Sequence, residues 1–205
     1  MTPGPERRHH GNRHGRSQEA RLAVLEAADD LLVEKGFAGV TMEGIAARAG
    51  VAKQTVYRWW RTKTDVLMDA FLQDADEDLT PPDSGDLAAD LRTYLRRLAV
   101  FLGTSHAGAV YRALIAQAQH DPAFAREFRS RCLAVQRHRD VVLLERALAA
   151  GRLPAGLDPD AEADQLVGPL YYRVLVSAGP VDEGFVDTLV DAFLLRHDGP
   201  VSTRS

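Results

Sequence analysis

From Ser17 onward the apolar residues recur every three to four positions, the spacing that lays them along one face of an α-helix. Ser17 suits an N-cap, and Leu22, Leu25, Ala28, Leu31 and Leu32 follow it. The first helix is expected to stop at Gly36, after Lys35 in the last turn, where a cation suits the helix dipole. Thr41 then caps a short helix with Ile45, Ala46 and Ala49 inward; Gly50 and Val51 make a turn; a second short helix runs from about Ala52 to Trp60. Asp65 to about Leu79 is helical again and ends before Pro81 and Pro82. The stretch Thr80 to Asp86 is the best candidate for a domain boundary. Beyond it, Leu87, Leu91, Tyr94, Leu98 and Leu102 define an amphipathic helix, and Val110, Leu114 and Ile115 another. Asp121 and Pro122 open a long helix through Phe124, Phe128 and Leu148 to Gly151. Asp160 starts a helix with Leu166, Leu170, Val174 and Leu175, and Asp182 starts the last, with Phe185, Leu189, Val190 and Phe193. The pattern predicts about nine helices, no period-two strand and no internal repeat, so the expected fold class is all-α.

Composition narrows this picture. Of 205 residues, 45% are hydrophobic, enough apolar surface for a packed interior, and 26% are charged, as in an ordinary globular protein. No apolar run reaches the length of a membrane span and the start lacks a signal-like apolar stretch, which makes a cytoplasmic location the expectation and a membrane partner an unexpected one. The single cysteine, Cys132, rules out an internal disulfide and reads as a small buried hydrophobe beside Phe128, Leu133 and Val135. The net charge of -4 hides an asymmetry: residues 1–67 carry +3 and residues 68–205 carry -7, with all three lysines (Lys35, Lys53, Lys63) in the first part. A basic head on an acidic body suits a chain that turns one end to a polyanion. Residues 1–16 lack any large apolar residue and are expected to be a disordered basic tail; Arg7, Arg8, Arg13 and Arg16 could reach a DNA groove as an arm. His9, His10 and His14 in that tail, and His106 and His120 near Asp121, are too sparse for a metal site, so neither a metal nor a cofactor is expected.

The chemistry concentrates between Thr41 and Lys63. Two short helices joined around Gly50 have the sequence form of a helix-turn-helix. Unrolled at about 100° per residue, the second helix puts Val56 and Trp60 on one side, Gln54, Thr55 and Arg58 on the other, Lys53 and Tyr57 on one flank and Trp59 on the opposite flank. That is the layout of a groove reader: Arg58 can bond guanine bidentately, Gln54 can pair with adenine, and the Thr55 methyl can touch thymine. The Tyr57 hydroxyl, the Trp59 indole N–H and Lys63 can donate to the phosphate walls, and the cap Thr41 brings a helix N-terminus near a phosphate. The plain alternative is a helical hairpin with a solvated polar face; aromatic donors on the exposed flanks, the glycine turn and the local basic balance weigh against it.

The run GFAGVTMEGIAARAGVAKQTVYRWWRTKTDVL, Gly36 to Leu67, resembles the N-terminal domain of the tetracycline-repressor family. The resemblance implies DNA contacts at Thr41, Lys53, Gln54, Thr55, Tyr57, Trp59 and Lys63. Trp59 departs from the His or Tyr frequent there, and Arg61 stands where proline is frequent, which leaves the entry of the next helix open. It further implies a helix-turn-helix DNA-binding domain over 17–67 and a helical effector-binding and dimerisation domain over 68–198. The partners to expect are double-stranded DNA with a palindromic operator, a second copy of the chain, and a small-molecule effector of unknown identity.

The C-terminal half fits that expectation less specifically. Asp158 to Leu195 resembles one subgroup of such domains. The last two helices carry apolar residues on more than one face, so Leu166, Leu170, Val174, Phe185, Leu189 and Phe193 are the candidate dimer seam. Gly168 would allow close helix approach and Pro169 would kink its helix. Candidate pocket residues are Tyr94, Phe101, Tyr111, Phe124, Phe128, Tyr171 and Tyr172, although aromatic residues at helical spacing are usually core. Two rival classes remain: an enzyme, for which the chain offers no phosphate loop, serine elbow or ligand cluster, and a helical protein-interaction module with a basic head.

Overall fold

The computed structural model describes residues 13–197, which fall into two compact units dividing between Val66 and Leu67. Among the described residues there is no strand. The 80–86 stretch lies inside the second unit, as the connection between two of its helices, and not at the division.

The first unit holds α1 (Arg13–Gly39), α2 (Met42–Arg48) and α3 (Lys53–Trp59), and α4 (Lys63–Asp78) begins in it and runs through the division. Helix α1 starts four residues before Ser17, so Ser17 is not its cap and Arg13–Arg16 are helical rather than tail. Extending an existing helix adds one hydrogen bond per residue fixed, and needs no apolar side chain. Arg7, Arg8, His9 and His10 lie outside the described residues. Gly36, at φ 66 and ψ 171, breaks α1 where the sequence placed its stop. Val24, Leu25, Ala28, Leu31 and Leu32 of α1 form the buried face.

The second unit contains the rest of α4 with α5 (Leu87–Thr104), α6 (His106–His120), α7 (Pro122–Phe128), α8 (Ala134–Ala149), α9 (Pro159–Tyr172) and α10 (Glu183–His197). A π turn, Arg129–Leu133, joins α7 to α8 without interruption, which makes the single long helix expected after Asp121. Asp121 caps it, accepting from the N–H groups of Ala123 and Phe124. Gly108 lets α6 start directly against the end of α5: a Cβ there would lie 1.8 Å from the Phe101 carbonyl oxygen. Cys132 is fully buried in the π turn, and burial pushes its thiol up to about 12. No single helix among the described residues is long and apolar enough to cross a membrane; α5 and α6 would pass only together, and they are bent by 74° with their apolar faces in the core.

Arginines fasten the acidic C-terminal helices to the body. Arg92 and Arg96 of α5 pair with Asp191 and Asp187 of α10, Arg137 of α8 holds Asp160 and Asp164 of α9 at 2.9 and 2.6 Å, and Arg196 reaches Glu162 at 2.9 Å. Many carboxylates of these helices are therefore paired within the chain, and the net charge of -7 over residues 68–205 is the excess left after such pairing.

The apolar candidates of the C-terminal half sit differently from the sequence expectation. Leu166, Leu170 and Phe193 are buried inside this chain and offer little surface to a partner, while Val174, Phe185 and Leu189 are half-buried. Phe185 lies under the Arg173 guanidinium, 3.6 Å from the ring centroid. From α9 to α10 the exposed large apolar positions are Tyr172 (60%), Leu175, Val176 (69%) and Leu195 (79%). A second π turn, Arg173–Ser177, re-aims Val174, Leu175 and Val176 relative to strict helical spacing. A Cβ on Gly168 would meet open space, so Gly168 marks no close approach within the chain. Pro169 sits inside α9, and the visible irregularity is the π turn that follows.

Tyr94, Phe101, Tyr111 and Phe128 are core side chains, each at most 2% exposed, and Phe124 is buried too. Tyr111 stacks on Phe71 and meets Phe128 and Tyr171 edge-on or tilted. Tyr172 points to solvent. Only Phe101 of the seven lines the shallow cavity of about 310 Å³ beside α5, with Asp78, Arg96, Arg97, Val100 and Ser105. A buried polar knot lies in this core: the Tyr94 hydroxyl donates to Asp140 at 2.5 Å, and the Gln136 amide donates to both at 3.0 and 2.9 Å. Burial pushes the Asp140 carboxyl up to about 6, against the lowering effect of those hydrogen bonds, and raises the Tyr94, Tyr111 and Tyr171 hydroxyls. The Tyr171 hydroxyl approaches that of Tyr111 at 3.4 Å and is itself buried, although its ring is partly open to solvent.

Candidate nucleic-acid interface

Thr41 begins the site by capping α2: its Oγ1 accepts from the Gly44 N–H at 3.0 Å. The helix ends at Ala49 in a Schellman motif. Gly50 takes φ 67, its N–H reaches the Ala47 carbonyl, and the Val51 N–H returns to the Ala46 carbonyl at 3.1 Å. This turn sets the angle at which α3 leaves α2. Arg48 fixes α2 to α1 through a two-pronged bond to Glu34 at 2.9 and 2.6 Å, with Asp30 at 3.5 Å. The Arg48 guanidinium accordingly holds the Glu34 carboxyl below the usual carboxylate range.

Helix α3 presents the face expected from its spacing. Val56 and Trp60 are buried, as are Met42, Ile45 and Ala46 of α2. Trp60 meets Trp59 edge-on at 5.5 Å and has the Arg21 guanidinium over its ring. Lys53, Gln54, Tyr57 and Arg58 are exposed, and Thr55 and Trp59 are half-buried. The Arg58 guanidinium rests 5.6 Å from the Trp59 ring centroid, a cation–π contact that holds it alongside the outward face.

Three candidate phosphate donors already have partners in the chain. Lys63 is half-buried, its Nζ donating to the Phe37 carbonyl at 2.6 Å and lying over the Phe37 ring, and burial lowers its pKa. One of its three N–H groups is thus committed, leaving two for a phosphate. Lys53 Nζ forms an ion pair with Glu43, and the Tyr57 hydroxyl donates weakly to the same carboxylate at 3.5 Å. The Lys53 bond pulls the Glu43 carboxyl below its ordinary value, and Glu43 raises Lys53 in return.

Sequence reasoning missed Glu43, Arg48 and the start of α4. Helix α4 opens at Lys63, with Thr62 as cap: its hydroxyl donates to Asp65 at 2.8 Å and accepts from the Asp65 N–H, while Asp65 accepts from the Thr62 N–H at 2.9 Å. The signal was present as Thr-x-x-Asp at 62–65, a capping box one turn upstream of the first apolar residue. It settles the entry left open by Arg61. Among the described residues no three His, Cys, Asp or Glu side chains gather as a metal site.

Comparison with known proteins places both units. Residues 24–70 match the model described as bacterial regulatory proteins, tetR family, and residues 81–193 match that of the tetracyclin repressor-like C-terminal domain. An uncharacterized HTH-type transcriptional regulator of Bacillus subtilis (strain 168), YdeS, is 40% identical over 179 residues, covering 87% of this chain and 90% of that protein. The DNA-binding transcriptional repressor TetR of Mycobacteroides abscessus is 31% identical, covering 88% and 94%. Among solved structures, the TetR family transcription regulator SCO0332 superposes with a TM-score of 0.74 at 34% identity, over 86% of this chain and 97% of its own.

Proposed function

The chain belongs to the tetR family of transcriptional regulators, with a helix-turn-helix as its DNA-binding element, and on that premise we propose that it is a repressor that binds a palindromic operator as a homodimer and lets go of it when a small effector binds the C-terminal helices. The relatives it matches are regulators and not enzymes. One observation carries the DNA reading: Val56 and Trp60 are buried while Gln54, Tyr57 and Arg58 stand outside on the same short helix. In this reading Gln54, Thr55 and Arg58 address base edges, and Thr41, Lys53, Tyr57, Trp59 and Lys63 address phosphates. Repression is the role of the Mycobacteroides abscessus relative, a DNA-binding transcriptional repressor, carried over to this chain. Gel retardation with genomic against random duplex tests it. Selective retardation is expected; equal retardation of both would contradict sequence reading by α3.

The homodimer rests on the exposed apolar set Tyr172, Leu175, Val176 and Leu195, which replaces the seam expected from the sequence. Exposed apolar residues on the last helices call for a cover, and an identical copy supplies one in a closed two-fold contact. Light scattering of a Val176→Asp, Leu195→Asp double variant is expected to give half the wild-type mass. An unchanged mass would place the contact elsewhere. For the effector, the proposed neighbourhood is the buried Tyr94, Gln136 and Asp140 knot with the Tyr111 and Tyr171 hydroxyls; Gln136 follows one π turn by three residues and Tyr171 precedes the other by two.

A further inference from the structure

We propose that Glu43 is a positioning residue that sets DNA specificity, because its carboxylate latches Lys53 and Tyr57 in the free protein and a phosphate must displace it. The inference rests on the DNA reading of α3 given above and adds its regulation. Glu43 lies in the first turn of α2 and Lys53 opens α3, so the pair spans the turn from one helix to the next. Both side chains are more than half exposed, at 56% and 55%, and the Lys53 ammonium also lies 5.6 Å from the Tyr57 ring centroid. One carboxylate thus holds both donors of the flank that faces a phosphate wall.

The charge pattern around it gives the latch its consequence. From Thr41 to Leu67 the cations are Arg48, Lys53, Arg58, Arg61 and Lys63. Arg48 is committed to Glu34 and Asp30, Lys63 to the Phe37 carbonyl, and Lys53 to Glu43. Among the described residues, Arg58 and Arg61 have no carboxylate within ion-pair distance. A paired lysine releases fewer counterions than an open one, and counterion release supplies the sequence-independent part of DNA affinity. While the latch is shut, that flank contributes little to random duplex. It opens only where base contacts from Gln54 and Arg58 hold α3 in the groove long enough for phosphate to outcompete the carboxylate, which a polyanion also repels. Weak binding everywhere else is the result, and the ratio of specific to non-specific affinity rises.

Fluorescence anisotropy of the full chain at several salt concentrations tests this, on a duplex it retains and on a scrambled one. The proteins are wild type, Glu43→Gln, Lys53→Ala and the double variant. Tryptophan fluorescence melting verifies that each is folded, since both tryptophans lie in this unit. Glu43→Gln is expected to tighten binding to the scrambled duplex several-fold and to steepen its salt slope by about 0.9, one added phosphate contact. The gain should disappear when Lys53 is also replaced. Two results overturn the latch. One is an unchanged or weaker grip on scrambled duplex in Glu43→Gln. The other is a loss confined to the retained duplex, which would make the carboxylate a base reader that accepts from cytosine N4. If wild type fails to distinguish the two duplexes at any salt, the DNA reading falls and takes the latch with it.

Discussion

Trp60 decides the orientation of the DNA-reading helix more than any polar residue does. With Val56 it fixes which side of α3 is inward, and both are essentially without solvent contact. Truncating a buried tryptophan costs on the order of 3 to 5 kcal/mol. Trp60→Ala is therefore expected to unfold or loosen the first unit and abolish DNA retention, while far-UV circular dichroism still reports a folded second unit. Retention of DNA by that variant would mean the clamp is unnecessary. Asp140 makes a second residue-level prediction. Its folded carboxyl sits at about 6, above the usual unfolded value of about 3.9. The folded chain therefore holds a proton there that the unfolded chain has lost between those two values. Stability from this group is full below about pH 4 and falls as pH rises through about 6. Asn at 140 keeps the acceptor for Tyr94 and Gln136 and removes the buried charge. Asp140→Asn is expected to flatten the decline of Tm between about pH 4 and pH 7; melts with the same pH dependence as wild type would contradict the assignment.

At the scale of elements, most boundaries were legible because the signals are local. Thr41, Gly36, Asp121 and the Gly50 turn each announce themselves within a few residues, and each is found at its expected place. The α4 start was equally local but was read from the apolar pattern rather than from its capping box. The π turns were not legible, since a single extra residue per turn leaves no mark in the spacing before it. Only the side chains from the turn onward shift, as at Leu175 and Val176. Pairings between elements were also hidden. Nothing near Glu43 indicates Lys53, and nothing near Arg48 indicates Glu34, because a turn or a helix crossing brings each pair together. Two glycines test the element geometry. Gly50→Ala forces a side chain into a left-handed conformation, at a cost of about 1 to 2 kcal/mol, and should weaken DNA binding by misdirecting α3. Gly108→Ala introduces a Cβ against the Phe101 carbonyl and should lower the Tm of the second unit without changing which duplex is retained. Equal stability of Gly108→Ala and wild type would contradict the close approach of α5 and α6.

For the whole molecule, the sequence was informative about class and poor about surfaces. Charge asymmetry and the all-helical pattern pointed to a regulator with one DNA-facing end, and the family comparisons agree. The proposed seam and pocket were drawn from the most apolar and aromatic residues. Among the seam candidates, Leu166, Leu170 and Phe193 are kept by this chain for its own interior. Burial competes for the same side chains that an interface would use, and only the packed structure shows which are left over.

The central claim is that the exposed side of α3 reads base sequence in a groove, twice per dimer. Selection from a randomised duplex library by wild type and by Arg58→Ala tests it most directly. Wild type should enrich a two-fold symmetric site whose half-sites lie about 34 to 36 Å apart along the helix axis. Arg58→Ala should lose about 1 to 3 kcal/mol and relax one position in each half-site. No enriched site, or the same site at the same strength with both proteins, would contradict the account.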